Sequence, residues 1–375
     1  MTNEATRFGS DVYARRLERA AELTRKSGLD ALVIGTGPDL RYLTGAVADT
    51  FERLTALVLP ADGDPFVVTP RMELASLRNS AIGDLGLTVR DWVDGEDPYV
   101  LALDGLSGGV SALGVSDALP ALHVIPLSDL AGAPVRLATP VLREMRMIKD
   151  DAEIAALTEA GAAIDRVHAR MGEWLRPGRT EAAVAADIAA AIVEEGHTEA
   201  AFVIVGSGPN GADPHHEHSD RLIGPDDVVV IDIGGPIAVG YNSDSTRTYC
   251  FTAPPNEIAG AFDALEQAQA AALHAVRPGV TAASIDDAAR AVLADGGLSD
   301  HFIHRTGHGI GLSVHEEPYI VAGNDLVLRP GMAFSVEPGI YFAGRWGARI
   351  EDIVVVTEDG GRALNTRPHG LSVLR

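Results

Sequence analysis

RPGRTEAAVAADIAAAIVEEG, Arg176 to Gly196, lines up without a gap on RPGVTAASIDDAARAVLADGG, Arg277 to Gly297. Each segment reads as a turn entering an amphipathic helix that closes at a glycine. Arg-Pro-Gly-X-Thr by itself is a common helix entry, but the residues beyond each helix repeat as well. FVIVGSG from Phe202 and FIHRTGHG from Phe302 are strand-like runs, and each precedes a second run bearing an acid, VVVIDIGG with Asp232 and MAFSVEPG with Glu337. Helix, strand and acidic residue matching in the same order favour duplication over a shared entry motif. Two similar α/β halves bring Asp232 and Glu337 to equivalent places about a pseudo-two-fold axis.

Upstream of the repeat, ALVIG from Ala31, TALVLP from Thr55, PFVVTP from Pro65, ALGVSD and HVIPL are short apolar runs alternating with helical patterns. ADGD at 61–64 reads as a hairpin turn, so this part is a small α/β domain without a glycine-rich fingerprint or clustered ionisable residues. Near VLREMRMIKDDAEIAAL the pattern becomes a long helix with Ile154, Leu157, Ile164 and Val167 on one face. The boundary is expected near Arg146, which gives two domains, 1–145 and 146–375, of a mixed α/β (α+β) chain.

Charge narrows the partners. Lysine plus arginine number 30 against 53 acidic residues, a formal net charge of -23 that repels phosphate backbones and anionic lipid. Neither nucleic acid nor membrane is expected as a partner. MTNEATRFGS lacks the apolar core of a signal peptide and no apolar run approaches a spanning length, so a cytoplasmic location is expected. The single cysteine, Cys250 in TRTYCFT, excludes an intrachain disulfide and a cysteine-built metal cage and reads as a small strand residue. Any metal must be held by oxygen and imidazole.

Asp232 sits inside an apolar run, Asp244 comes twelve positions later in GYNSDSTRT, Glu337 lies in FSVEPG and Glu351 in ARIEDIVVV. A buried lone carboxylate costs several kcal/mol, so each needs compensation. Pairing with Arg247 or Arg349 is the plain explanation for any one of them. Four such acids, with His308 set between Gly307 and Gly309 in RTGHGIGLSVHEEP, suit a divalent metal pair about 3.5–4 Å apart. On that reading the glycines let the loop bring His308 up to a metal. His304 and His308 have helical i, i+4 spacing, but the glycines argue against a helix there.

IDIGG with GYNSDSTRT, GHGIG with VHEEP, SVEPG and RIED, in that order, resemble the metal-dependent pita-bread family, the M24 peptidases that include aminopeptidase P and prolidase. DLRYLTG and FERLTALVLP resemble the creatinase-type N-terminal domain of the same proteins. The resemblance implies a creatinase-like domain followed by a pseudo-symmetric catalytic domain, commonly in a homodimer. It places five metal ligands on Asp232, Asp244, His308, Glu337 and Glu351, accessory histidines on His215, His304 and His315, and a supporting arginine on Arg349. His216 and His218 receive no role from it and are expected to be solvated. The spacing of Asp232 and Asp244 is twelve where better-known members have eleven, and a longer turn at GPIAVG accommodates the difference.

The implied activity is two-metal hydrolysis of an Xaa-Pro bond in a proline-containing di- or oligopeptide. Manganese is the expected ion, with cobalt, zinc or iron as alternatives. Glu337 is the expected general base, His304 and His315 donate to the substrate carbonyl, and Arg349 orients a ligand carboxylate. A dipeptidase must also hold a free carboxylate, for which arginine is the natural partner. Several prolidases carry one shortly after the second histidine, where this chain has Tyr319; Arg53, Arg305 and Arg345 are the candidate substitutes. Dipeptidase is the first reading and aminopeptidase P the second. Methionine aminopeptidase, creatinase and a non-catalytic peptide-binding member rank lower, the first for its lack of such an N-terminal domain and the others because they lose metal ligands.

Overall fold

The computed structural model divides into two units, Met1–Arg146 and Met147–Arg375. It describes residues 6–48, 52–106 and 109–374, so the first five residues and Phe51 of the FERL motif lie outside it. In the first unit six strands, β1 (Ala31–Gly35), β2 (Ala56–Pro60), β3 (Phe66–Pro70), β4 (Thr88–Trp92), β5 (Leu113–Val115) and β6 (Val135–Leu137), form a sheet of order β4-β3-β2-β1-β5-β6. β2 and β3 pair antiparallel around the ADGD turn, as the turn residues predict. Their sequences are apolar except for Thr69, whose hydroxyl bonds that of Thr55, because both faces are buried.

Two parts of this unit depart from the sequence reading. HVIPL is not a strand but lies inside the helix Ala121–Ala131, which starts directly after Pro120 and stops at a left-handed Gly132. Those punctuating residues stand far enough apart for a helix, and they outweigh the short apolar run between them. β4 and β6 carry polar residues and are only partly buried, so no apolar run announced them.

The second unit repeats itself. In its first half the helices Asp151–Ala169 and Glu181–Glu194 accompany β7 (Phe202–Ser207), β8 (Val229–Pro236) and β9 (Asn242–Cys250). In its second half the helices Asn256–Ala275 and Ala282–Asp295 accompany β10 (Gly307–Gly309), β11 (Glu316–Ile320), β12 (Ala333–Val336), the hairpin β13 (Gly339–Phe342) and β14 (Trp346–Arg349), β15 (Asp352–Thr357) and β16 (Gly360–Ala363). β17 (Ser372–Val373) returns to the edge of β9, giving sheets of order β17-β9-β8-β7 and β11-β10-β12-β15-β16.

The aligned helices are capped alike: Thr180 accepts from the Ala183 amide and Thr281 from the Ser284 amide. Val184, Ile188 and Ile192 pack in the first half's core; their aligned counterparts Ile285, Ala289 and Leu293 pack in the second half's. Each half therefore has its own apolar core beneath its own helix, which is what a duplicated α/β unit requires. FIHRTGHG is the exception to the match. Only Gly307–Gly309 of it is strand, because the chain from Ile303 to Thr306 turns under the helix Ala282–Asp295.

Candidate metal centre

The candidate residues converge where the two sheets of the second unit meet. In the β8–β9 hairpin Asp232 pairs with Thr246 and Gly234 with Asp244. Asp244 and Thr246 are two residues apart, so the two aspartates share a face. The turn between them, at residues 237–241, falls where the twelve-residue spacing required it. Glu337 and Glu351 were expected within strands, but both sit just outside, after β12 and before β15, where the backbone turns their carboxylates toward the seam. Across that seam the Thr246 hydroxyl donates to Glu351 Oε2 at 2.8 Å and the Glu351 amide to the Thr246 carbonyl at 3.1 Å.

His308 occupies the middle of three-residue β10, held between β11 and β12. A Cβ on Gly307 would collide with the Ser335 carbonyl, and one on Gly309 with that of Glu317. The glycines thus admit neighbouring strands, not the metal itself, and the strands then fix the histidine. Its backbone amide donates to Ser335 Oγ at 3.0 Å, and the N–H at Nδ1 points at the Gly309 carbonyl at 3.1 Å. That assignment leaves the Nε2 lone pair free, 3.3 Å from Glu337 Oε1 and 3.6 Å from Asp244 Oδ2. Burial holds the ring neutral, its pKa down at about 3. A neutral imidazole is the form a metal takes.

Ligand atoms of Asp232, Asp244 and Glu351 lie within 4.8 Å of one another, as do those of His308, Glu337 and Glu351. The two groups share Glu351, an arrangement that suits two cations with a bridging carboxylate. Electrostatics agree with this. Burial first, then the neighbouring carboxylates, push Asp244 and Glu351 well above the usual carboxylate range, and burial lifts Glu337 to about 7. Asp232 Oδ1 and Glu351 Oε1 are buried without a hydrogen-bond partner among the described residues. Divalent ions would satisfy both oxygens and offset the acidic crowding, so the residues fit a metal pair.

Arg349 bonds Asp232 Oδ2 at 2.6 Å, not Glu351 two positions along the chain. Arg247, the other expected partner, pairs instead with Asp352 at 2.7 Å. His304 departs from the role expected of it. Its Nδ1 N–H donates to the Arg305 carbonyl at 2.7 Å, and Nε2 accepts from the Tyr341 hydroxyl at 2.9 Å, so no N–H is left for a substrate. His215 and His315 line a cavity of about 890 Å³ together with the apolar Phe202, Ile204 and Val314. The His315 ring lies 3.9 Å from that of His308, centroid to centroid.

Sequence reasoning missed two supports. Tyr341 carries no local signal, since only the β13–β14 hairpin brings it to Arg349 and His304. Glu181 is fully buried at the start of its helix and accepts from Ser207, Asn210, Ser219 and His216. His216 is therefore not the solvated residue expected: its Nε2 reaches Glu181 at 2.9 Å and ties down the segment that carries His215. His218 reaches the Val203 carbonyl at 3.2 Å. An acid in a first helical turn reads as a capping charge, which hid its depth.

A family model for metallopeptidase family M24 matches residues 155–358, and one for the creatinase/prolidase N-terminal domain matches residues 16–148. A Mycobacterium tuberculosis protein named "Probable dipeptidase PepE" is 63% identical over 368 residues, 98% of each chain. An Xaa-Pro dipeptidase of Lactobacillus delbrueckii is 34% identical over 96% of this chain and 98% of that one. The crystal structure of dipeptidase PepE from Mycobacterium ulcerans superposes with a TM-score of 0.95 at 64% identity, over 98% of this chain and 99% of that one.

Proposed function

The chain belongs to metallopeptidase family M24, and we propose that it is a prolidase, a two-metal hydrolase cutting the Xaa-Pro bond of dipeptides. The observation that carries the reading is the pair of overlapping ligand groups joined at Glu351, open to a cavity with apolar walls that suit a proline ring. The names of the relatives support the dipeptide preference. Asp232, Asp244 and Glu351 would hold one ion, and His308, Glu337 and Glu351 the other. Bound there, two divalent ions make a water nucleophilic near neutral pH and polarise the scissile carbonyl.

The protein's own groups do the rest. Glu337 faces the shared centre and accepts a proton from the attacking water as its oxygen bonds to the carbonyl carbon. That proton is then available to the proline nitrogen as the C–N bond breaks. His315 and His215, whose rings line the cavity, donate to the substrate oxygen as it gains charge. Arg349 holds Asp232, and His304 holds the Tyr341 hydroxyl that Arg349 also bonds, so both act by positioning.

The proposal includes manganese as the native ion, a homodimer and a cytoplasmic location. The oxygen-rich ligand set supports the first, family resemblance the second, and the lone, buried Cys250 the third. No helix among the described residues is long and apolar enough to cross a membrane. The test is initial rates on an Xaa-Pro dipeptide and the matching Xaa-Pro-Yaa tripeptide, with manganese and with chelator. Dipeptide cleavage lost with chelator is expected. Preference for the tripeptide would make the protein an aminopeptidase P, and absence of bound metal and of turnover would leave a peptide-binding protein.

A further inference from the structure

The cavity beside the metal centre has two arginines in its wall, Arg305 and Arg349. Arg349 is buried, and its guanidinium is bonded to Thr246 and Tyr341 and ion-paired with Asp232, so its charge is already committed to a candidate metal ligand. Arg305 is half-buried and forms no ion pair with any described residue. Its guanidinium carbon lies 4.5 Å from the centroid of the Tyr319 ring.

Tyr319 is well placed to aim it. In the β10–β11 pair Tyr319 stands directly opposite His308. Residues so paired point to the same face with Cβ atoms about 4.5–5.5 Å apart. The guanidinium is thereby held one side chain away from a candidate metal ligand. A guanidinium lying on a ring keeps its N–H edge free, and that edge matches a carboxylate in a two-point hydrogen bond.

The same cavity contains Asp232, Asp244, Glu337 and Glu351, a set of acids that repels an anionic ligand unless a cation receives it. An Xaa-Pro dipeptide presents such an anion one residue beyond the bond to be cut. The other two candidate arginines are already neutralised. Arg53 is held by Asp94 through Nε and Nη2, both at 3.0 Å, and Arg345 pairs with Glu257 at 2.9 Å on the surface.

We propose that Arg305, laid on Tyr319, binds the free C-terminal carboxylate of the substrate and so selects dipeptides over longer peptides. The proposal rests on the Xaa-Pro dipeptidase reading and assigns its specificity to a residue in the turn just before β10, not to the position on β11 where several prolidases carry arginine. Tyr319 becomes a positioning residue for that cation.

The test compares Ala-Pro with Ala-Pro-amide, which lacks the anion, for the manganese-loaded wild type and the Arg305→Gln, Arg305→Lys and Tyr319→Leu variants. The wild type should prefer the free acid. Arg305→Gln should lose roughly 10- to 100-fold of that preference, chiefly through KM. Arg305→Lys, which keeps charge without the fork, and Tyr319→Leu, which removes the platform, should fall between. Competitive inhibition by L-proline should weaken in parallel, while inhibition by prolinamide should not. An unchanged acid-to-amide ratio in Arg305→Gln overturns the assignment of Arg305. A wild type that cleaves neither compound, or only longer peptides, overturns the dipeptidase reading itself and the inference with it.

Discussion

Arg349 Nη1 donates to the Tyr341 hydroxyl at 2.7 Å while Nη2 of the same guanidinium holds Asp232 Oδ2 at 2.6 Å. Tyr341 in turn donates to His304, so one phenol joins a candidate ligand's support to the segment leading into His308. Tyr341→Phe keeps the ring and removes this junction. The expected loss is about 10- to 100-fold in manganese affinity or kcat with the fold intact. Calorimetric metal titration beside steady-state kinetics measures it, and values matching the wild type in both would contradict the role.

Without metal, the buried carboxyls set a pH dependence. Glu337 titrates near 7 when folded against an ordinary value of 4.5, and Asp244 and Glu351 are raised as well. A group with a raised folded pKa binds more protons folded than unfolded between the two values, so stability falls as pH rises through that window. The buried histidines His168, His197, His304 and His308, held neutral by burial, oppose this with a contribution that grows over the same range, so the carboxyl effect is read as a difference: without metal, Glu337→Gln should gain Tm over the wild type at about pH 8 relative to about pH 5. Manganese should raise Tm more at the higher pH, where the carboxylates are ionised. A metal-induced shift independent of pH would count against the carboxylate cluster as the binding site.

Asp244 belongs to the ligand group shared with Asp232 and Glu351. Asp244→Ala should lower kcat by at least about 10³-fold, the scale of several kcal/mol supplied by a bound ion. The first unit should stay folded, as read by its protection from hydrogen exchange. Near-normal turnover at saturating manganese would rule out the dinuclear mechanism.

Glu181 is held near a pKa of about 2, because the hydrogen bonds from Ser207, Ser219 and His216 outweigh the cost of its burial. Its folded pKa is depressed, so its contribution is present above about pH 4.5 and is lost as pH falls toward 2. Glu181→Ala leaves several buried donors unpaired and should cost about 3 kcal/mol, a fall in Tm of roughly 6–12 °C. Because the same bonds hold the segment bearing His215, kcat should fall too. Differential scanning calorimetry and steady-state rates test the two effects separately.

How much of the fold and site was legible varies residue by residue. The aligned Arg-Pro-Gly-X-Thr helices announced the duplicated halves, since an amphipathic helix repeats its apolar positions whatever it later packs against. Asp232 stood out as an acid inside an apolar run, and Asp244 followed it twelve positions later in GYNSDSTRT. His216 did not stand out, because its partner Glu181 lies 35 positions away and only the folded segment joins them. HVIPL misled because so short and mostly apolar a run does not distinguish strand from helix.

The repeat, and the order of acids and histidines along it, are written in the sequence, because local periodicity and residue chemistry are carried in each segment. That Glu351 belongs to two of the candidate ligand groups, that Arg349 bonds Asp232 and that Arg305 lies on Tyr319 are settled only in three dimensions. Thr246 and Glu351, or Asp232 and Arg349, are more than a hundred positions apart and meet only at the seam of the two halves. Such meetings depend on how two separately formed sheets dock, a relation that no local pattern contains.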